Sequence, residues 1–410
     1  MLQLFVVLIA MGLIPVLLKF KLSIGVALFI LGVFTGVAGG LPPADIVRAF
    51  TAVFTVKSSL TSVLIIIEIG MLSILMNRYG ILKRMEQALL KLVPNDRAII
   101  MLMPAMVGAL QAPGGAALSA PFVNTLGQEM GMDPARRSNV NVVCRHILPL
   151  LVPYSANVIV ALSLAPDIKM AHLILLNLGF VIAMQIAGYI FLVRKSDKKE
   201  LPGVSGGEWL QALGEFLYTF SPILLAVALN MFFHLNYILT VPAAIVLVFF
   251  MCDKKDFGKQ LLSSIDRRTA VLITGVYFFQ NVVRSLSKLM DFFRTLFTGQ
   301  SLWVFLVLVA VVGVLFGLAT GLMYLPLGVL VPIAMSLPYA SYNARLVAMF
   351  YTFNWCFIGY LFSPIHLCQL LSDQATGATV RERYKNYLPL LATLPFLILG
   401  LYFVYSLVLG

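Results

Sequence analysis

The sequence predicts an all-α polytopic membrane protein of about 10–11 transmembrane helices, with two re-entrant hairpins in an inverted-topology repeat. Three observations predict this. The 410 residues are 60% hydrophobic and only 11% charged, with a mean hydropathy of +0.97. A soluble domain carries about 25% charged residues, so this chain could not cover its surface in water. Second, many stretches reach the roughly 20 apolar residues that span a bilayer core. Third, two of those stretches are interrupted by Gly and Pro at matching places in the two halves. The first is Val107-Gly108-Ala109-Leu110-Gln111-Ala112-Pro113-Gly114-Gly115-Ala116-Ala117-Leu118-Ser119-Ala120-Pro121, and the second is Phe316-Gly317-Leu318-Ala319-Thr320-Gly321-Leu322-Met323-Tyr324-Leu325-Pro326. Each is followed about 45 residues later by another break, Leu148-Pro149 to Pro153-Tyr154-Ser155-Ala156-Asn157 and Gly359 to Ser363-Pro364-Ile365-His366. Paired broken segments of this kind point to the binding site of a secondary transporter.

Hydropathy places spans at 2–18, 23–40, 52–76, a broken pair 98–125, then 139–165, 171–193, 209–233, 237–252, 269–287, a second broken pair 301–336, 346–371 and 387–409. The N-terminus is apolar from Leu2 and lacks a basic leader and a small-residue cleavage site, so 2–18 reads as a retained helix. Lys19 and Lys21 put the first turn inside. The stretch 79–93, with Lys83, Arg84 and Lys91, reads as an amphipathic helix lying on the cytoplasmic surface. With both termini outside, 21 of the 29 Lys and Arg fall in cytoplasmic segments, five fall outside, and Lys57, Arg145 and Arg284 lie within spans. This is the positive-inside pattern of a plasma (inner) membrane protein. It also explains the net charge of +12 without nucleic acid.

The repeat follows from spacing and orientation. Val63-Leu64-Ile65 matches Val271-Leu272-Ile273 at an offset of 208, Gly108 matches Gly317 at 209, and Pro153 matches Pro364 at 211. The span 52–76 runs inward and 269–287 runs outward. The first hairpin therefore enters from the cytoplasm and the second from outside. The units are 1–50, a first repeat 51–195, a polar linker 196–208, connecting helices 209–260, and a second repeat 261–410.

Backbone left unpaired at membrane depth is tolerated only where protein or a water-filled cavity satisfies it. Gly114 and Gly115 permit close backbone approach, and the free N–H groups after them suit an anion. Arg145 costs about 2.5–3.5 kcal/mol near mid-membrane unless it is partnered, and a substrate carboxylate or phosphate would serve. Snorkelling to the cytoplasmic face is the structural alternative. His146 adjoins Arg145. His366 follows the second break and suits proton coupling or anion binding, or equally a neutral structural role. Glu68, the one carboxylate well inside a span, is a candidate proton carrier, or a structural partner of Arg145 or Lys57. Ser119, Asn124, Ser155, Asn157, Thr320, Tyr324, Asn354 and Ser363 are uncharged polar groups near the breaks. Pro113, Ser155, Asn157, Thr320 and Ser363 mark where Na⁺ could be held. The four cysteines form no CxxC pair, which predicts neither disulfides nor a zinc site. No Walker loop, dinucleotide fingerprint, HExxH or nucleophile elbow occurs, so neither ATP-driven transport nor an enzyme activity is expected. No cofactor is expected beyond a coupling ion, H⁺ or Na⁺.

Pro104-Ala105, Gly108-Ala109-Leu110, Pro113-Gly114-Gly115-Ala116 and Ser119-Ala120-Pro121, together with Asn141, Arg145-His146, Gly359-Tyr360-Leu361 and Ser363-Pro364-Ile365-His366-Leu367-Cys368, carry a resemblance across nearly the whole chain. The sequence resembles an uncharacterised prokaryotic family of integral membrane proteins, a domain of unknown function grouped with the ion-transporter superfamily of divalent-anion:sodium symporters and citrate carriers. That resemblance implies a scaffold (1–50 and 209–260), a transport domain with two opposed hairpins, a homodimer and elevator-type movement. Dicarboxylate members carry Ser-Asn-Thr at the hairpin tips. The nearest equivalents here are Ala112-Pro113-Gly114-Gly115-Ala116 and Ser363-Pro364-Ile365-His366. The expected function is ion-coupled symport of a small anion, an organic carboxylate, by alternating access. Gly114, Gly115, Ser119, Arg145, His146, Asn157, Thr320, Ser363 and His366 would bind it, and Glu68 or His366 would couple it. The alternatives are a cation/H⁺ antiporter using Glu68, and a membrane enzyme or lipid-handling protein.

Overall fold

The computed structural model describes residues 2–111, 115–199, 205–297 and 302–409. No strand occurs among the described residues. In chain order the helices are α1 (Leu2–Lys19), α2 (Ile24–Ala38), α3 (Pro43–Thr55), α4 (Lys57–Arg78), α5 (Ile81–Leu92), α6 (Asp96–Ala109), α7 (Ala116–Glu129), α8 (Pro134–Arg145), α9 (Ala156–Leu164) and α10 (Met170–Gly188). The second half holds α11 (Gly206–Phe233), α12 (Tyr237–Met251), α13 (Phe257–Ser263), α14 (Arg267–Ser285), α15 (Ser287–Phe297), α16 (Leu302–Thr320), α17 (Tyr324–Met335), α18 (Tyr342–Leu361), α19 (Leu367–Thr376) and α20 (Val380–Leu409).

Among the described residues five helices are long and apolar enough to cross a bilayer: α4, α10 with its π-helical extension to Val193, α11, α16 and α20. Their outward faces are apolar too. Phe232 is 76% exposed, Phe396 74% and Leu407 85%. Water penalises such surface and lipid does not. The build is that of a helical membrane protein.

The spans read from hydropathy recur with three differences. The amphipathic helices α3 and α15 occupy stretches read wholly or largely as connections, because a window average hides a helix with one polar face. The last helix begins at Val380 instead of residue 387, so its first turn carries Arg383, which is fully buried. The breaks are also narrower than their Gly and Pro content suggests. α16 stays helical through Thr320, leaving Gly321–Met323 as the turn, and α18 runs past Gly359 to Leu361. Pro121 lies inside α7.

The glycines that do not break helices let them touch. A Cβ on Gly108 would overlap the carbonyl oxygen of Arg145, locking α6 onto α8. A Cβ on Gly317 would come within 2.7 Å of the Gly359 Cα, and one on Gly359 within 2.7 Å of the Val314 oxygen, so α16 and α18 cross at backbone distance. Gly108 and Gly317 are the pair offset by 209, and each meets the broken helix of its own half.

Long-range polar contacts join segments that the charge count assigns to one side. Arg84 on α5 pairs with Glu215 on α11 at 2.6 Å, and Lys199 pairs with Glu129. Arg78, ending α4, donates to Gln260 on α13 at 3.0 Å. At the opposite end Arg345 meets Asp167 at 2.9 Å.

The apolar interior forms two clusters. Among the described residues one spans α6–α10, α16–α18 and α20, and reaches α1–α5, α14 and α15. The other is built on α4, α5, α11 and α12 with Phe257 of α13, and meets the hairpin body through Leu110 at the first tip, Tyr154 at the first break and Ile159 on α9, while α4 and α5 also enter the first cluster through Val63, Ile66 and Leu89. Gly317→Ala forces the α16–α18 crossing apart and is expected to cost about 1–3 kcal/mol. Thermal unfolding in detergent checks this against Gly70→Ala, where nothing lies within 4 Å of the new Cβ and no loss is expected.

Candidate functional site

Two arms, α6 and α7, flank the first tip, and α16 and α17 flank the second. Each pair packs on the broken helix of its own half, and one arm reaches the other half: α7 packs on α19, and α17 on α9. The tips are held by matching hydrogen bonds. Tyr154 Oη donates to the Ala109 carbonyl at 3.0 Å, and Ser363 Oγ donates to the Leu318 carbonyl at 2.6 Å. Donor and acceptor are 45 residues apart in both cases, and the pairs are offset by 209. The flanking helices contribute as well. Ser73 of α4 donates to the Leu110 carbonyl, and Gln280 of α14 donates to the Tyr324 carbonyl at 2.6 Å. Ala109, Leu110 and Leu318 lie at helix C-terminal ends, which leave carbonyls free, whereas Tyr324 opens α17.

The breaks converge on a cationic and aromatic centre. Arg145 is the last residue of α8 and His146 its cap, so the helix ends a little before the Leu148-Pro149 break at which the sequence placed the interruption of span 139–165. A Cβ on Gly115 would lie 2.6 Å from the Arg145 guanidinium carbon, so this glycine makes room for the side chain. The His146 ring lies 4.7 Å from that of His366 and 5.4 Å from that of Tyr360, and the Tyr360–His366 separation is 4.2 Å. Gly321, at φ +63°, closes the second tip against Ile365 and His366, with a Cβ there 3.3 Å from the His366 nitrogen. Arg145 and His146 are each 6% exposed, and His366 2%. The His146 Nδ1 donates to the Val142 carbonyl at 2.6 Å. Neither ring nitrogen of His366 has a hydrogen-bond partner among the described residues.

Other expected site residues fare differently. Gly114 and Pro113 lie outside the described residues. The Thr320 hydroxyl is spent within its own turn, donating to the Phe316 carbonyl at 2.7 Å and accepting from the Leu322 N–H at 3.2 Å. Ser119 donates to Asn141 at 2.6 Å. Ser363 belongs to the break between α18 and α19, not to the second hairpin's tip, which is Gly321–Met323. Ser155 is fully buried with no partner for its hydroxyl among the described residues, and Asn157 is half-buried in the first turn of α9. Glu68 sits on α4 with one carboxylate oxygen buried and without a hydrogen bond. No ion pair joins it to Arg145 or Lys57 among the described residues.

Sequence reasoning missed a second polar layer. Asp373 on α19 and Arg383 on α20 pair at 3.2 Å, with side chains 9% and 0% exposed. Ser138 donates to Asp373 at 2.6 Å, Arg383 also reaches Gln369, and Asn141 donates to Ser372 at 2.8 Å and to the Ala116 carbonyl at 3.1 Å. The layer ties α7, α8, α19 and α20 together. Hydropathy assigned Asp373 and Arg383 to a cytoplasmic loop. Their spacing around the Gly377 turn was the available signal.

The fold and this centre define an all-helical membrane protein with two helical hairpins and two broken helices meeting at buried polar groups. The chain belongs to the DUF401 family, proteins of unknown function, whose model matches residues 1–407. Comparison with curated proteins gives no match.

Asp373→Leu leaves Arg383 charged, buried and without its counter-ion, and is expected to cost about 3–5 kcal/mol of stability. Denaturant unfolding of the purified chain measures this. The double variant Asp373→Leu/Arg383→Met is expected to recover most of the loss.

Proposed function

We propose that the protein is an ion-coupled secondary transporter of a small anion, of the organic carboxylate class, in which the two hairpin tips and two breaks enclose the substrate. The observation that carries this reading is the placement of Arg145. Its guanidinium occupies the space that Gly115 leaves at the first tip, next to the His146–His366–Tyr360 group beside the second break. A buried guanidinium recognises carboxylate or phosphate in a planar, two-pronged geometry.

The tip hydrogen bonds offset by 209 and the exchange of α7 and α17 between halves support an inverted repeat with re-entrant hairpins. They accord with the resemblance to divalent-anion:sodium symporters and citrate carriers. The expected scaffold of 1–50 and 209–260 divides between the clusters: α11 and α12 lie with α4 and α5, which supports a body against which the hairpins move, elevator fashion, within a homodimer, whereas α1 and α2 pack in the hairpin core. Same-side pairing of charged segments supports their grouping on two faces, and the Lys and Arg excess supports the proposed placement in the inner membrane with both termini outside. Ser155 and His366, buried and without hydrogen-bond partners among the described residues, are the groups through which Na⁺ or H⁺ would couple.

A cation/H⁺ antiporter centred on Glu68 is the second reading, favoured by its buried, unbonded oxygen. Asp373 does not supply it with a second carrier, because Arg383 and Ser138 already engage that carboxylate.

Thermal shift of the purified chain against a panel of organic acids, with and without Na⁺ and at two pH values, tests the reading. A true ligand at a hundredfold excess over Kd stabilises by about 2.7 kcal/mol. Arg145→Ala is expected to abolish that shift, and full anion affinity in this variant sinks the assignment. Glu68→Gln separates the readings: the anion carrier keeps binding, whereas the antiporter loses exchange.

A further inference from the structure

We propose that His146, His366 and Cys368 form a metal site for a borderline-soft divalent cation of the Zn²⁺ or Co²⁺ type. The site goes beyond the anion reading and stands without it. The three ligand atoms lie within 4.8 Å of one another. They come from two facing chain ends: His146 caps the C-terminus of α8, and His366 and Cys368 open α19. Bonds of about 2.0–2.3 Å around one ion bring such atoms to roughly 3–4 Å from each other, so small side-chain rotations close the set.

The state of each ligand suits a metal. The partner of His146 Nδ1 is a carbonyl, which only accepts, so Nδ1 carries the proton and Nε2 presents its lone pair. A ligating histidine oriented by a carbonyl on its other nitrogen is the usual arrangement in metal centres. His366 is 2% exposed, and both its ring nitrogens are without partners among the described residues. A buried polar group in that state costs free energy, and a metal bond removes the cost. Cys368 is half-buried and free. Two imidazoles and a thiolate select zinc-like ions over Na⁺, Mg²⁺ or Ca²⁺, which prefer oxygen. Binding releases the Cys368 thiol proton to solvent, and the resulting negative charge offsets part of the ion's charge beside Arg145. Three protein ligands leave a fourth position for water or an anion. The ligands were hidden from motif searching because His146 precedes His366 by 220 residues.

The probe is Co²⁺ alone, titrated into the purified full chain in detergent. The expected result is one Co²⁺ per chain with a thiolate-to-cobalt charge-transfer band, displaced by Zn²⁺. Cys368→Ser is expected to lose the band, while Cys252→Ser keeps it. His366→Ala and His146→Ala are expected to weaken binding about 10–100-fold or more. In the unaltered chain, Zn²⁺ is expected to slow alkylation of Cys368 and leave Cys252 unchanged, a readout that does not depend on any variant folding. An unprotected Cys368 or a band that survives in Cys368→Ser overturns the site.

Discussion

A helix that stops inside an apolar layer leaves carbonyl and N–H groups that nothing in lipid can satisfy, and each orphan costs several kcal/mol. The architecture follows from meeting that demand with protein groups. Tyr154 and Ser363 bond the carbonyls of the two tips, and Ser73 and Gln280 add a donor from each flanking helix. Those donors reach their targets because Gly108, Gly317 and Gly359 let the arms and the broken helices meet at backbone distance. The breaks are therefore load points in the packing, and bulk at these glycines disturbs the tips before anything else.

The same constraint concentrates polar groups where the breaks meet. α8 ends at Arg145, and its cap His146 turns toward His366 at the start of α19. Chain ends are the places where charged and titratable side chains can be held at depth without interrupting a ladder of helical hydrogen bonds. The result is a compact centre of one guanidinium, two imidazoles, a phenol and a thiol. The neighbouring Asp373–Arg383 layer is the opposite case. Its members bond one another across four helices, which suits a structural clasp rather than a binding surface.

The apolar clusters divide along the same line. The hairpins and broken helices share one core, α11 and α12 hold another that meets the first hairpin near its tip at Leu110, and α4 and α5 contribute to both. A small apolar gap lined by Ser73, Leu110 and Tyr154 lies on that seam. The tip that meets the seam is the one carrying Gly115 beside Arg145.

The sequence by itself determined the apolar segments, the two matched pairs of breaks, and Arg145, His146 and His366 as candidates beside them. These are local or additive properties: hydropathy over twenty residues, and Gly and Pro at fixed offsets. Only the tertiary structure decided which glycines break a helix and which bring two helices together, since Gly317 and Gly359 look the same in sequence as Gly321. It alone brought Cys368 and Tyr360 to the histidines and closed Asp373 on Arg383, because those contacts join residues whose proximity depends on how the two broken helices cross. It alone turned the Thr320 hydroxyl inward to its own turn, where a local hydrogen bond outcompetes a distant ligand.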